Sequence, residues 1–409
     1  MAAVAGLRGS GEWGTDERPK NFRELILFRN PNGTAPIFAL MARVQKESVN
    51  DPEFSWWDEP NDLVRLQVNG ALDSDALTVV VDSSDPSAGT PDNVWGTAQH
   101  LVEGDLLLVE PAVDVATFDN EVLEVVSTAS DTTFVVKRGR AGSSAAAIAD
   151  DAFLTKIGSA FAEGTAAPSA TSRNPIKYSN FTQIFKTSYE ITATAAETRL
   201  RTGDPVANDK KRRAFDHARD IEMAILFGRK SEVTGANGKP LRSMDGIRRF
   251  ISTTTSSVIS GSVSVTKFLN AAFPVFNFDT PAGDELIAFC GNQALNALNL
   301  MIQTDGNTQI QFGGVINQFG MNFREFIMPQ GRLLIRTHPL LNRHTLYRNS
   351  MFLIDFSSLR WRPLKNRDTK FKDNIQNKDE DLRRGEWLTE AGLEVRFGGL
   401  TNGYIGNIT

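Results

Sequence analysis

Hydrophobic residues fall along this chain in three different rhythms. From residue 61 to about 160, short apolar runs (LTVVVD, DLLLVE, VLEVVS, TFVVKR, AFLTKI) are separated by Gly, Pro, Asp and Ser, which predicts a small all-β unit. Beyond residue 204 the period lengthens to that of a helix. Ala214, Ala218, Ile221 and Ile225, flanked by Phe215 and Leu226, share one face, while Arg212, Arg213, Asp216, Arg219 and Asp220 share the other. Asp204-Pro205 supplies an N-cap and a proline at the first helical position, and Gly228 supplies the stop. The helix predicted over 205–227 would run roughly 34 Å.

The rest of the chain is mixed. Residues 1–60 read as an extended arm, Gly- and Arg-rich at first, with apolar stretches ELILF and PIFALMARV on either side of Asn30-Pro31-Asn32-Gly33 and SWWDEP at its end. Such a segment cannot bury itself, so Trp56, Trp57 and the apolar stretches need another surface, in the same subunit or a neighbour. After the β unit, GSAFAEGTAAPSATSRNP reads as flexible and FTQIFKTSYEITATA as a strand. KPLRSMDGIRRFIST connects to KFLNAAFPVF, then to the strand ELIAFC, a turn at Gly291 and a helix with Leu295, Leu298 and Ile302 on one side. The C-terminal region is β-like (FREFIM, RLLIRTH, TLYRN, MFLIDF, LRWRPL), with a charged loop, KNRDTKFKDNIQNKDEDLRR, before LEVRFGGLTNGYIGNIT. No internal repeat is visible.

With 409 residues, 41% hydrophobic and 23% charged, the composition is that of a globular protein of two or three modules that need no disulfide or metal to hold them. Cys290, within LIAFC, is the one cysteine and reads as a buried hydrophobe. The chain lacks a signal-peptide pattern and an apolar run of membrane-spanning length, so it reads as soluble and unexported, and the sequons at Asn32, Asn180 and Asn407 as chance matches. The net charge of −5 is unevenly shared. Residues 61–170 hold five Lys and Arg against seventeen Asp and Glu, a net of −12, which leaves 39 basic and 32 acidic residues elsewhere, a net of +7. An acidic module is set in a mildly basic framework.

Little in the sequence points to catalysis. Gly9-Ser10-Gly11-Glu12-Trp13-Gly14 matches the dinucleotide spacing, but no strand precedes it and Pro19 follows closely; Gly235-Ala236-Asn237-Gly238-Lys239-Pro240 reads as a turn. His100, His217, His338 and His344 have no metal-ligand spacing, and no Ser stands in GxSxG. Two basic groups remain. Lys210, Lys211, Arg212 and Arg213 read as a solvated helix face with pairs such as Asp209 to Arg213, or as contacts to phosphate or a neighbouring subunit. Arg360, Arg362, Lys365, Arg367, Lys370 and Lys372, interleaved with Trp361 and Phe371, form a weak nucleic-acid signature.

The order of arm, β-rich loop, long helix, α/β unit and returning strands resembles the major capsid proteins of tailed bacteriophages, of the Hong Kong 97-type fold. The most specific segments are KKRRAFDHARDIEMAILFGRKS with RSMDGIRRFI, and MFLIDFSSLRWRPL followed by GEWLTEAGLEVRFGGLTNGYIGNI. The resemblance implies an α+β chain: an N-terminal arm (1–50), an extended loop (51–185) carrying an inserted acidic β domain (about 61–160), a peripheral domain (186–250) with a spine helix (about 205–227), an axial domain (251–345), and C-terminal strands returning to the peripheral domain (346–409). It implies a structural, non-enzymatic subunit without cofactor or metal, assembling in the host cytoplasm into hexamers and pentamers of an icosahedral head. Its partners would be other copies of itself, portal, scaffolding and decoration proteins, and packaged double-stranded DNA through non-specific contact, with no membrane. The candidate contacts between subunits are Phe54, Trp56 and Trp57 on the loop and Arg212, Arg213 and Arg219 on the spine helix. No Lys–Asn cross-link is carried over. The alternatives are an encapsulin-like shell subunit and a β-rich decoration or tail protein.

Overall fold

Asp204 accepts the Val206 N–H at 2.9 Å and opens the longest helix, α3 (Pro205–Phe227), which ends where the Gly228 N–H returns to the Ala224 carbonyl. A Cβ at Gly228 would stand 2.5 Å from the carbonyl oxygens of Ala224 and Met244, so glycine is required at this stop. The computed structural model describes residues 35–41, 44–58, 64–82, 97–110, 120–170, 175–198, 200, 203–277, 283–304, 312–318 and 321–409. ELILF, the Asn30–Gly33 turn, the Gly9–Gly14 motif and Asn32 lie outside them.

The buried face of α3 is only partly the one the apolar pattern predicts. His217, Ile221, Glu222, Ile225 and Leu226 are buried, whereas Ala214, Phe215 and Ala218 are half-buried. Two polar side chains sit inside because each finds partners there. His217 meets Thr389 Oγ1 at 2.8 Å and Thr187 Oγ1 at 3.2 Å, and burial pushes its pKa down. The partners of Glu222 lie in a six-residue helix, α1 (Pro36–Met41), and beyond a central strand. PIFALM is thus a helix rather than extended arm, because Ile37, Leu40 and Met41 bury against α3 in the same chain.

A four-stranded antiparallel sheet supports the helix. Here β20 (Leu382–Val395) pairs with β9 (Gln183–Thr192), β18 (Leu359–Pro363) and β19 (Lys370–Lys372). The charged loop expected at 365–384 is therefore partly strand. Arg384 stands opposite Glu190 and pairs with it at 3.0 Å, so charge on the wet face is compatible with the ladder. A short helix, α2 (Ala193–Glu197), follows β9. Past α3 come a hairpin, β10 (Ser231–Thr234) with β11 (Pro240–Ser243), and α4 (Ile247–Phe250).

The central sheet has seven strands. Its members are β12 (Ser256–Val258), β13 (Glu285–Cys290), β14 (Phe312–Gln318), β15 (Met321–Met328), β16 (Gly331–Thr337), β17 (Met351–Ile354) and β21 (Gly403–Gly406). They run in the order β12-β21-β17-β13-β16-β15-β14, with β13 parallel to β16. Alternation along β13 sends Ile287 and Phe289 to the α3 side, and Ala288 and Cys290 to the side covered by α5 (Val265–Ala272) and α6 (Asn292–Thr304). Burial pushes the Cys290 thiol up to about 12, which makes it inert.

Two expectations fail here. The C-terminal strands do not all return to the α3 sheet: β17 and β21 are apolar on both faces and enter the central sheet, while β18 to β20 flank α3. TLYRN is a turn, fixed by the His344 Nδ1 that accepts the Leu346 N–H and by the Tyr347 ring lying 4.4 Å from Phe227.

The acidic unit is a barrel. Strands β2 (Arg65–Gln67), β3 (Thr78–Val80), β4 (Asp105–Val109), β5 (Val122–Thr128), β6 (Thr133–Arg140) and β7 (Phe153–Ser159) pair in the order β2-β7-β4-β5-β6-β3, all antiparallel. Bonds from the Asn69 N–H to the Val80 carbonyl and from the Asp82 N–H to the Gln67 carbonyl join the last strand to the first. Closure removes both edges. Leu66, Val79, Leu107, Leu123, Val125, Phe134, Val136 and Leu154 fill the interior as a core of their own.

Candidate assembly interface

The barrel hangs from a two-stranded ribbon, β1 (Glu53–Asp58) paired with β8 (Ile176–Phe181) in the register Glu53↔Phe181 to Asp58↔Ile176. Because side chains alternate, Phe54 and Trp56 share one face with Asn180 and Tyr178, and Trp57 shares the other with Lys177 and Ser179. The first face is a dry joint. Trp56 stacks on Phe54 and Tyr178 at centroid separations of 6.0 and 6.1 Å and meets Phe250 of α4 at 5.8 Å. Asn180 Nδ2 donates to the Leu393 and Asp245 carbonyls at 2.7 and 3.1 Å, and its Oδ1 accepts the Asp245 N–H.

Phe54 and Trp56 are consequently only 8% and 6% exposed. The expectation that a monomer leaves them bare is corrected: they are core residues of their own chain, covered by α4 and β20. Trp57 is different. It is 60% exposed, with the Lys177 ammonium 5.8 Å from its ring. On the same face Lys230 donates to Ser179 Oγ at 2.6 Å and lies 3.6 Å from the Glu53 carboxylate, so the root of the β10–β11 hairpin is bolted to the ribbon.

On α3 the three candidate arginines lie along the outer surface. Arg212 pairs with Asp209 at 3.2 Å, and both Arg213 and Arg219 pair with Asp216, at 3.3 and 3.0 Å. The expected bond from Asp209 to Arg213 does not form, because the three-residue spacing serves both arginines. Pairs this exposed contribute about 0–1 kcal/mol each, leaving the guanidinium groups open to exchange partners. Lys210 is engaged otherwise, 3.7 Å from the Phe371 ring, which stacks on Tyr189.

The second basic group loses its nucleic-acid reading. Glutamates of β20 face it across the sheet: Glu394 takes Arg362, Glu390 takes Arg367, and Glu386 takes Lys372. Arg360 Nη1 donates to the Ser357 and Leu359 carbonyls. Burial pushes Arg362 down, and its bonds to Glu47 and Glu394 more than offset that, so it sits above the ordinary arginine value. These cations hold the sheet together.

Residue-type reasoning missed Glu222 and His338. Both are fully buried, with His338 Nε2 2.6 Å from Glu222 Oε1. The signal was available for one of them: Glu222 falls at the centre of the Ala218–Ile221–Ile225 stripe, where a solvated carboxylate does not belong. Among the described residues no three His, Cys, Asp or Glu side chains converge as metal ligands, and no helix is long and apolar enough to cross a membrane.

A family model described as SU10 major capsid protein matches residues 8–409. The major capsid protein of Pseudomonas phage PaMx41 is 26% identical over 411 residues, which cover 98% of this chain and 92% of that one. Among solved structures, the capsid of a native GTA particle is 8% identical with a TM-score of 0.46 and 98% coverage of both chains. Microbacterium phage Oxtober96 is 12% identical with a TM-score of 0.44, covering 95% of this chain and 96% of that one. The holo-SrpI encapsulin complex of Synechococcus elongatus PCC 7942 is 10% identical with a TM-score of 0.41, covering 57% and 76%.

Proposed function

The chain belongs to the SU10 major capsid protein family, and from that premise we propose that it tiles an icosahedral head as hexamers and pentamers, with the ribbon and the outer surface of α3 touching neighbouring copies. It is a phage major capsid protein. The observation that carries the reading is the length of the family match, 8–409, which leaves no independent module for a tail or decoration protein to claim. The family also decides against a shell of the encapsulin kind.

In this reading α3 with its four-stranded sheet is the peripheral domain of a Hong Kong 97-type subunit, and the seven-stranded sheet with α5 and α6 is the axial domain. The ribbon and barrel are the extended loop. Of the loop candidates Trp57 remains as a contact, being the one that the chain leaves uncovered, together with Arg212, Arg213 and Arg219 on the helix. Many weak contacts repeated over a shell become cooperative. The acidic barrel faces outwards and the basic framework tolerates DNA within; with Arg362, Arg367 and Lys372 already paired to glutamates, that contact is sparse and non-specific. Portal, scaffolding and decoration proteins complete the partners, assembly takes place in the host cytoplasm, and no chemistry is catalysed.

Cryo-electron microscopy of the full chain, produced alone and with the genes beside it, tests this. Closed particles or capsomer rings with the barrel outside are expected. A monomer under every condition would overturn the assembly reading, and a barrel found on the inner surface would overturn its orientation.

A further inference from the structure

The hairpin that follows α3 turns its apolar side to water. Strand β10 lies against β11 in the register Ser231↔Ser243, Glu232↔Arg242, Val233↔Leu241, so alternation puts Val233 and Leu241 on one face with the two serines, and Glu232 and Arg242 on the other. The second face is satisfied by the ion pair of Arg242 with Glu232 at 2.6 Å. On the first, Val233 and Leu241 stand directly opposite each other and are 52% and 60% exposed. A two-stranded hairpin is marginal in water by itself, yet this one is fixed in direction from both legs. Lys230, ahead of β10, holds Ser179 and Glu53 of the ribbon, and Met244, behind β11, donates its N–H to Gln183 Oε1 at 3.1 Å.

Residues 228–243 carry Arg229, Lys230, Lys239 and Arg242 against Glu232, a net of +3. The barrel is the opposite, with its net of −12 over 61–170. It too has an uncovered apolar strip. Val79 and Val81 enter the barrel core, so Val80 between them turns outwards; Val80 and Leu77 are both exposed, and Asp75 and Asp82 flank them in sequence. Burial, with the carboxylates of Asp151 and Asp150 close by, pushes the Asp82 pKa up against a hydrogen bond from Asn69, and a cation brought to that rim would relieve the crowding. Within one chain the two strips do not cover each other, since both are exposed. They belong to opposite ends of the ribbon: Lys230 holds the end at Glu53, and the end at Asp58, about 17 Å further along, leads into the barrel.

We propose, resting on the reading of the chain as a shell subunit, that the β10–β11 hairpin docks through Val233 and Leu241 on the barrel of a second copy, against the strip around Leu77 and Val80. Charge selects this pairing. Barrel on barrel would set −12 against −12 and hairpin on hairpin +3 against +3, whereas the crossed contact matches apolar with apolar and basic with acidic. Lys239, exposed beside the hairpin turn, is the cation placed to meet the Asp75 and Asp82 carboxylates. Because the two surfaces differ, the contact is heterologous. Each copy gives its hairpin to one neighbour and receives a hairpin on its barrel from another, and repetition of such a contact generates a ring where the rotation closes.

Leu241→Cys combined with Val80→Cys in the full chain tests it. Both positions are exposed and the natural Cys290 is buried, so a new disulfide reports the approach of these two sites alone. In particles oxidised with diamide, a ladder of linked subunits up to the size of the capsomer is expected on a denaturing gel, with no ladder from either single variant. Leu241→Glu, which sets a carboxylate against the acidic rim, should lower the yield of shells by about tenfold while the subunit unfolds as the parent does. Parent shells whose double variant gives no ladder, or only a link within one chain, would overturn this contact and leave the shell reading standing; shells at the parental yield from Leu241→Glu would do the same. A parent that stays monomeric under every condition would overturn both.

Discussion

Arg138 grips both carboxylate oxygens of Glu121 in the barrel, Nε to Oε1 and Nη2 to Oε2, each at 2.7 Å. The guanidinium also donates to the carbonyls of Asp73, Ala76 and Ala146, and the carboxylate also accepts the N–H groups of Gly139 and Ala146. One pair thus pins two loops to β5 and β6. Both side chains are nearly closed to water, so removing one strands the other. Glu121→Ala should destabilise the barrel by about 3–5 kcal/mol in urea unfolding, and an apolar pair, Glu121→Leu with Arg138→Met, should recover most of that. Burial alone would raise the Glu121 pKa, but Arg138 and the two N–H groups more than offset it and leave the carboxyl below its usual value. Its contribution is therefore complete above the unfolded value of about 4.3 and is lost as pH falls from there through the folded value. A barrel that weakens between neutral pH and pH 5 would contradict this.

The ribbon rests on β20 because Gly392 leaves room for a ring. A Cβ there would lie 2.5 Å from Phe54 Cε1 and 2.6 Å from the Phe181 carbonyl. Gly392→Ala should cost about 1–3 kcal/mol through overpacking, and exchange in 53–58 and 176–181 should rise before that in β9. Combined with Phe54→Ala, the loss should be smaller than the sum of the single losses, since each change relieves the other. Strict additivity would mean that the two residues do not meet.

Legibility in the sequence followed how local the cause was. The limits of α3 were readable because Asp204, Pro205 and Gly228 act within one turn of themselves. The five apolar runs of the barrel were readable because each is buried along one alternating face. Closure was not, since it depends on bonds at Asn69 and Asp82 between backbones. The fate of Phe54 and Trp56 was invisible for a similar reason: their cover comes from Phe250 and Gly392, about 200 and 340 positions onward. Glu222 stands on the apolar stripe of its own helix, but its partner His338 is 116 residues away and looks like a surface residue on its own. Arg383 and Arg384 looked like loop because composition does not show that Glu197 and Glu190 wait opposite.

The cap on α3 offers a test of how much the helix owes to its own ends. Asp204→Ala removes the acceptor for the Val206 N–H and should lower stability by about 1 kcal/mol. Exchange should rise in the first turn, around Val206 and Ala207, while Ile221 to Leu226 stay protected by the core. Loss of protection along the whole helix would show that the cap, and not the Ile221–Ile225 packing, holds it.

Neighbouring tryptophans separate assembly from folding. Trp56 and Trp57 follow each other on β1 and point to opposite faces, one into the joint and one into solvent. Trp56→Ala should cost about 3–5 kcal/mol and unfold the base of the ribbon. Trp57→Ala should change the unfolding of the isolated subunit by no more than about 0.5 kcal/mol, because its ring touches little besides Lys177. If Trp57 is an anchor between copies, the same variant should nonetheless sediment as free subunits where the parent forms shells. Arg219→Ala, which breaks an exposed pair, provides the matching experiment on α3. Shells that form at wild-type yield with both substitutions would move the contact surface away from the ribbon and the helix, without touching the family assignment. A Trp57→Ala subunit that unfolds instead would mean that the ring is held by the chain itself, and its exposure would then be no guide to where copies meet.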